Sequence, residues 1–463
     1  ANGLPGSVAV LTVRNGYTPY GYSLEGLRFL QRVVPLQVYP EHPQRTPNFV
    51  SCIFEEGASF TEAQLVPANA FDCTFRRDSE FLAFNNSGKP PFSGLRFERC
   101  RMTIRPNAGT IAFENCVFTG CPDTAIVYIT RSGDAVSFEN CVVESAAVGF
   151  APRSSTAPLR LIGCLLQDLG VAMALDRPEP QSSDPSHLVL QDVLVRRAAS
   201  GLYSTMPWSV HATRLTIEDC AGPAIDISAQ SMDLSNVHVR RAGQGVLVRG
   251  VRMPNFGPDF WGVSIDSCSF EEVGGDAISV STDLPTVSPV MIRSNTCARV
   301  GGDGIDVRVP SATIANNVLS EIEGDGIRIH QVAPMAPDSI LGNSVVLVRG
   351  RGIVAERDSG VVESAAVILS NIAALGGRAG IFVGKFATAI VRNNDAWRNG
   401  LMDFENVWAP MASNVSLDPR FCSASSGDYT LQAGSPCAPS GVYGLIGALP
   451  VACAASPVGV TPR

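Results

Sequence analysis

The sequence predicts an all-β solenoid, a chain that coils repeatedly and stacks each turn on the one before. Three observations carry this. Between Gly274 and His330 one phrase occurs three times, a Gly-Asp pair, a small residue and an Ile-led apolar strand: GGDAISV, GGDGIDV and EGDGIRI. Eight residues ahead of each Asp stands a second marker, Cys268, Asn295 and Asn317, so the phrase has a register as well as a composition. The segments FENCVFTG, DLSNVHVR and GDGIDVRV alternate, or run apolar for about five residues, between Gly, Asn and Asp breaks, which is strand rather than helix periodicity. A strand unit repeating every 22 to 27 residues buries its apolar face only by stacking on copies of itself.

The marker recurs N-terminally as Asn236, Cys220, Asp192, Cys164, Cys141, Cys116, Cys100, Cys73 and Cys52, and C-terminally as Asn343, Asn371 and Asn393. Its mean spacing of about 24 residues suits three short strands and three bends per coil. The intervals Cys100 to Cys116 and Cys220 to Asn236 are shorter, 16 residues each. Three segments follow. Residues 1–48 lack the marker: SVAVLTV, at Ser7 to Val13, predicts a strand, and Ser23 to Val34 predicts a helix with Leu24, Leu27, Leu30 and Val34 on one face behind a Ser N-cap. This segment is expected to cap the first coil, or to donate a strand to a neighbouring molecule. Residues 49–408 hold the coils. Residues 409–463 are rich in turn residues and predict a C-terminal cap and tail.

Composition narrows the function. Charged residues make up 17% of the 463, hydrophobic ones 45%, with 43 Gly and 32 Pro, which fits strands and tight bends. A net charge of −8 argues against nucleic acid, whose phosphates need a basic face. No apolar run is long enough for a membrane span. Of the 13 cysteines, Cys52, Cys73, Cys100, Cys116, Cys141, Cys164, Cys220 and Cys268 take the marker position, where stacked side chains point in parallel; a buried thiol column is expected rather than disulfides. Cys422, Cys437 and Cys453 lie in the end segment, where a staple is useful, and point to an oxidising, extracellular or cell-surface location.

The stacked markers and GDGI strands resemble the right-handed parallel β-helix repeat of the pectin-lyase-like superfamily over about residues 49–408. The ending DPRFC…SPCAP…GLIGALPVAC is similar to the cysteine-bearing ends of secreted bacterial β-helix proteins. The resemblance implies the fold: a right-handed parallel β-helix with an N-terminal cap segment and a cysteine-bearing C-terminal cap. For activity it implies a choice, since hydrolases, lyases, epimerases, tailspikes and adhesins share that fold.

Chemistry is sought on the outward positions of the strand after each Gly-Asp bend. One column holds Asp226, Leu247, Ser279, Asp306, Arg328 and Val354; a second holds Ser228, Arg249, Ser281, Arg308, His330 and Glu356. Asp306, Arg308, Arg328 and His330 are the candidate catalytic residues, with Asp226, Arg249 and Glu356 as candidate binding residues. A glycosidase needs two carboxylates flanking the scissile bond, whereas a lyase or epimerase needs a base and a group that neutralises the sugar carboxylate. The NTD, paired-Asp, GHG and RIK combination of polygalacturonases is absent, and the same residues suit a charge ladder on a solvated sheet. Asp276, Asp303 and Asp325 are expected to cap bends, with calcium between two of them as the one cofactor to consider. No other cofactor or metal site is expected. The expected function is an extracellular β-helix scaffold that assembles with copies of itself or binds polysaccharide; the alternative is a polysaccharide-active enzyme.

Overall fold

A bend between two strands of a stacked coil reverses the chain within about one residue, and the left-handed backbone conformation does this most compactly. In the computed structural model, which describes residues 23–30, 48–55, 69–76, 80–83, 91–104, 110–129, 135–154, 158–175, 186–250, 262–282, 290–332, 337–358, 365–407 and 413–454, such residues recur with the coil. The chain divides into two units, Ala1–Ala221 and Gly222–Arg463.

In the first unit, Ser51, Asp72, Gly94, Asn115, Asn140, Gly163, Asp192 and Arg214 all have positive φ, and each precedes a buried residue: Cys52, Cys73, Leu95, Cys116, Cys141, Cys164, Val193 and Leu215. A second such column runs through Arg99, Gly120, Ser145, Asp168, Arg197 and Asp219, ahead of Cys100, Cys121, Ala146, Leu169, Ala198 and Cys220. The sequence register is corrected on two counts. Cys100 and Cys220 belong to the second bend, and Leu95 and Leu215 hold the first, which removes the two 16-residue intervals. Asp192, Asn236 and Asn393 are the left-handed bend residues, one position ahead of the buried Val193, Val237 and Asn394.

The first described coil begins at Ser23. Strands Ser23–Glu25 and Arg28–Leu30 pair in parallel with Asn48–Val50 and Ile53–Glu55, and Gly26, at φ +64, makes the bend between them. The helix expected from Ser23 is therefore absent over residues 23–30. The apolar spacing suited either period, but Gly26 weakens a helix by about 1 kcal/mol and suits a left-handed bend. The strand expected at Ser7 to Val13 lies outside the described residues. The core of this unit stacks like on like: Phe54, Phe75, Phe97 and Phe118 have successive ring centroids 4.8, 4.9 and 4.6 Å apart with nearly parallel planes. That separation is the rung spacing of a β-ladder, so the aromatic stack follows from parallel pairing.

The second unit is built of three parallel ladders. One runs Ser269–Val273, Thr296–Val300, Val318–Ile322, Ser344–Val348, Ile372–Ala374 and Asp395–Trp397. The next runs Ile278–Thr282, Ile305–Arg308, Ile327–Gln331, Ile353–Arg357, Ile381–Val383 and Phe404–Glu405. The last holds Gly262–Asp266, Val290–Arg293, Ala312–Ala315, Asp338–Leu341, Ala365–Leu369 and Thr388–Arg392. Here the marker column changes from thiol to amide. The Cys268 N–H donates to Asn295 Oδ1 at 2.9 Å, and backbone N–H groups of Asn295, Asn317, Asn343, Asn371 and Asn394 donate in turn to the next side chain, ending at Asn414. Each Nδ2 also donates to a carbonyl, as Asn317 does to Ile292 at 2.9 Å, so these buried amides are satisfied. Asn414 donates its Nδ2 hydrogen to Val391 O at 2.8 Å.

The thiols behave as expected of a buried column. Cys52, Cys73, Cys116, Cys141, Cys164 and Cys268 are buried thiols outside any disulfide, as are Cys100, Cys121 and Cys220 in the second column. Burial pushes the Cys73 thiol up to about 12. Past the ladders, Phe421, Tyr429, Leu431, Cys437 and Ile446 pack on Val346, Ile372 and Ala374 of the coils. A small sheet, Phe421–Ser423 with Asp428–Gln432 and Val451–Cys453, is closed by the Cys422–Cys453 disulfide. The third cysteine, Cys437, stays a thiol and donates to Asp395 Oδ2 at 3.1 Å. Among the described residues no helix is long and apolar enough to cross a membrane.

Candidate functional site

Parallel pairing without slip aligns like positions of successive coils. Leu247, Ser279, Asp306, Arg328, Val354 and Phe382 form one column, and Arg249 pairs Ser281, Ser281 pairs Arg308, and His330 pairs Glu356 in the other. The columns predicted from alternation are thus present, but they are not uniformly exposed. Val354 is fully buried beneath Phe382 and Ala379, over which the Arg351 guanidinium stacks at 3.8 Å from the Phe382 ring. A hydrophobic pair has closed the outer face at that rung.

Of the seven predicted residues, Asp306, Arg308 and His330 meet in one cluster, joined by an eighth residue, Asp358. His330 Nε2 lies 3.2 Å from Asp306 Oδ1, and its Nδ1 lies 3.7 Å from Asp358 Oδ1. Arg308 Nε donates to Asp358 Oδ2 at 2.9 Å. About a quarter of the Asp306, His330 and Asp358 side chains remains exposed, so the cluster is both fixed and reachable. The hydrogen bond that His330 donates to Asp306, aided by the charges of Asp306 and Asp358, raises the His330 pKa above its ordinary value against the opposing effect of burial. Both ring nitrogens therefore face carboxylates, which favours the imidazolium.

Arg328 is adjacent but turns away. It donates to Asp325 Oδ2 at 2.5 Å and reaches Asp303 Oδ2 at 3.0 Å. Burial opposes its charge, but Asp325, Asp303 and Asp306 outweigh that and raise its pKa. The bend aspartates do cap backbone N–H groups, though on the next coil rather than locally: Asp276 accepts from Asp303, Asp303 from Asp325, and Asp325 from Arg351, each at 2.7 Å. Burial raises the Asp303 pKa. The Arg328 guanidinium thus bridges Asp303 and Asp325, and among the described residues no three His, Cys, Asp or Glu side chains group as metal ligands. Glu356 sits beside His330 in register, but its carboxylate lies 3.5 Å from Arg351. Asp226 and Arg249 pair with each other, and the serine rung Ser279–Ser281 separates Arg249 from Arg308.

Asp358 could have been found. It continues the alternation Val354, Glu356, Asp358 one step past the strand. Its bond to Arg308 spans two rungs, because a long guanidinium side chain reaches past its nearest neighbour, and no pairing rule for adjacent strands foretells that.

The family described as right handed beta helix region matches residues 200–406. The chain is a right-handed parallel β-helix protein. No curated protein matches it in sequence. Solved structures that resemble this β-helix include an epimerase and a tailspike. One is a double mutant of the periplasmic alginate epimerase AlgG, at 11% identity and a TM-score of 0.39, over 76% of this chain and 78% of the other. The second is tailspike protein 3 of bacteriophage CBA120, at 10% identity and a TM-score of 0.40, over 79% of this chain. The β-helix covers 56% of the tailspike's length.

Proposed function

We propose that this β-helix protein binds a hydroxyl-rich polysaccharide on the sheet face of Asp306, Arg308, His330 and Asp358, without turning it over. The observation that carries the proposal is His330 between two carboxylates. The two carboxylates favour the imidazolium, and in that form both ring nitrogens carry a proton and neither has a lone pair to take one from a sugar carbon. The carboxylates, held by His330 and Arg308, keep oxygens that accept hydrogen bonds from paired hydroxyls, and a fixed array loses little entropy on binding. The regular ladders supply a stiff support for such a face, and the same regularity suits display or assembly of copies at a surface. The Cys422–Cys453 disulfide supports an extracellular location.

Binding is tested by titrating soluble neutral and acidic polysaccharides into the protein, with Asp306→Asn and His330→Ala as controls. Saturable binding that both substitutions abolish, with no product released, is the expected result. Binding that survives both would remove the face from consideration. A second reading has its own support: an imidazolium beside a carboxylate is a proton donor, as a lyase or hydrolase requires for its leaving group. Release of reducing ends or unsaturated products, lost in His330→Ala, would establish it over binding alone.

A further inference from the structure

Among the described residues exposed aromatic side chains are few, and Phe386, 67% exposed, is the most accessible of them. It sits on a short turn, Gly384 to Ala387, closed by the Ala387 N–H to Gly384 O bond at 2.9 Å. The turn is fastened to the strand carrying Glu356: the Gly384 N–H donates to Ala355 O at 2.7 Å. A side chain on Gly384 would press to 3.3 Å from the Glu356 Cα, so the glycine permits this close approach. Phe386 is thus held in place by backbone bonds while its ring stays in water. A lone exposed hydrophobic needs no explanation by itself. Its location does: the turn extends the strand Ile381–Val383, two rungs along the ladder from the His330 strand.

We infer that Phe386 is a stacking platform for a pyranose ring of the same polysaccharide whose neighbouring unit is held at His330, Asp306 and Asp358; the inference rests on the binding proposed above. Two rungs amount to about 9.6 Å along the coil axis, a separation that a short run of linked sugar rings spans. The face of an aromatic ring is electron-rich, and the face of a pyranose that carries axial C–H bonds is electron-poor, so the two attract while both shed water. The carboxylates take hydroxyls and Phe386 takes the apolar face. Together they select a neutral, equatorially substituted polymer. The charges of Asp306, Asp358 and Glu356 are already met by His330, Arg308 and Arg351, so a polyuronate gains no unpaired cation from the cluster.

The test compares wild type, Phe386→Ala, Phe386→Trp and Asp306→Asn by calorimetric titration with soluble xylan, soluble cellulose oligomers and polygalacturonate. Thermal melts establish that each variant is folded. The neutral polymers are expected to bind, with Phe386→Ala weakening affinity roughly tenfold, Phe386→Trp keeping it, and Asp306→Asn abolishing it. Wild-type affinity in Phe386→Ala alongside loss in Asp306→Asn overturns the platform and leaves the binding face standing. Preference for polygalacturonate overturns the selection for neutral sugars. Failure of every polymer to bind wild type overturns the binding face and the platform together.

Discussion

His330 is held by Asp306 and Asp358, and the sign of its pH dependence follows from that. Its folded pKa is raised, so its contribution to stability is complete below the unfolded value of about 6.5 and is lost as pH rises through the folded value. We expect melting curves of wild type and His330→Gln to differ most below pH 6.5, by up to about 1 kcal/mol, and to converge in alkali. An imidazole found by NMR to titrate below 6.5 would contradict the cluster. Asp338 runs in the same direction for another reason. It is buried with a single backbone N–H, from Ala312, on its Oδ1, and burial raises its pKa to about 7. Its protonated form stabilises the fold below the unfolded carboxylate range, and that stability is lost as pH rises through 7. Asp338→Asn should therefore stabilise at pH 8, on the order of 2 kcal/mol, and make no difference at pH 4; an equal effect at both values would place the carboxyl in contact with water.

Each ladder column is an element in its own right, and its chemistry sets how much one rung matters. Asn317 Oδ1 accepts from the backbone and the side chain of Asn295, and its Nδ2 donates to Ile292 O and Asn343 Oδ1. Asn317→Ala leaves buried donors and a carbonyl unpaired, each worth about 1–3 kcal/mol, so a loss of at least about 3 kcal/mol is expected by urea denaturation. Cys141→Ala removes a weak S–H donor, the weak sulfur acceptor of the Cys116 N–H at 3.4 Å and a small volume, and about 1–2 kcal/mol is expected. Equal losses would mean that the amide ladder contributes no more than its packing. The columns also show why the register slipped in reading the sequence. Asn and Asp adopt the left-handed bend more readily than most residues, and Asn also makes the buried ladder. The pairs Asn236-Val237 and Asn393-Asn394 therefore offer the same letter for two different places, and only burial separates them.

For the molecule as a whole, the C-terminal segment is held on the coils by the apolar contacts of Phe421, Leu431 and Ile446, and is closed on itself by Cys422–Cys453 across a separation of 31 residues. A loop of that length favours the folded state by about 3.7 kcal/mol through the unfolded chain. Reduction, or Cys422→Ser with Cys453→Ser, should lower the melting temperature while leaving polysaccharide binding intact, since the His330 face takes no residue from this segment. Loss of binding on reduction would tie the segment to the face.

The sequence by itself determined the coil, its strand ladders, and the two outward columns in which Asp306 faces Arg328 and His330 faces Glu356. These follow from a repeat with period-2 alternation, and parallel pairing turns such a repeat into columns. It also carried the expectation of a buried thiol column. Only the tertiary structure decided which side chains on those columns touch: that Arg308 reaches Asp358 across two rungs, that Arg328 turns to the bend aspartates, that Phe382 covers Val354, and that Gly26 starts a coil where a helix was expected. The pleat dictates where a Cα stands, whereas the reach of a guanidinium and the free space beside it depend on neighbours brought in from other coils.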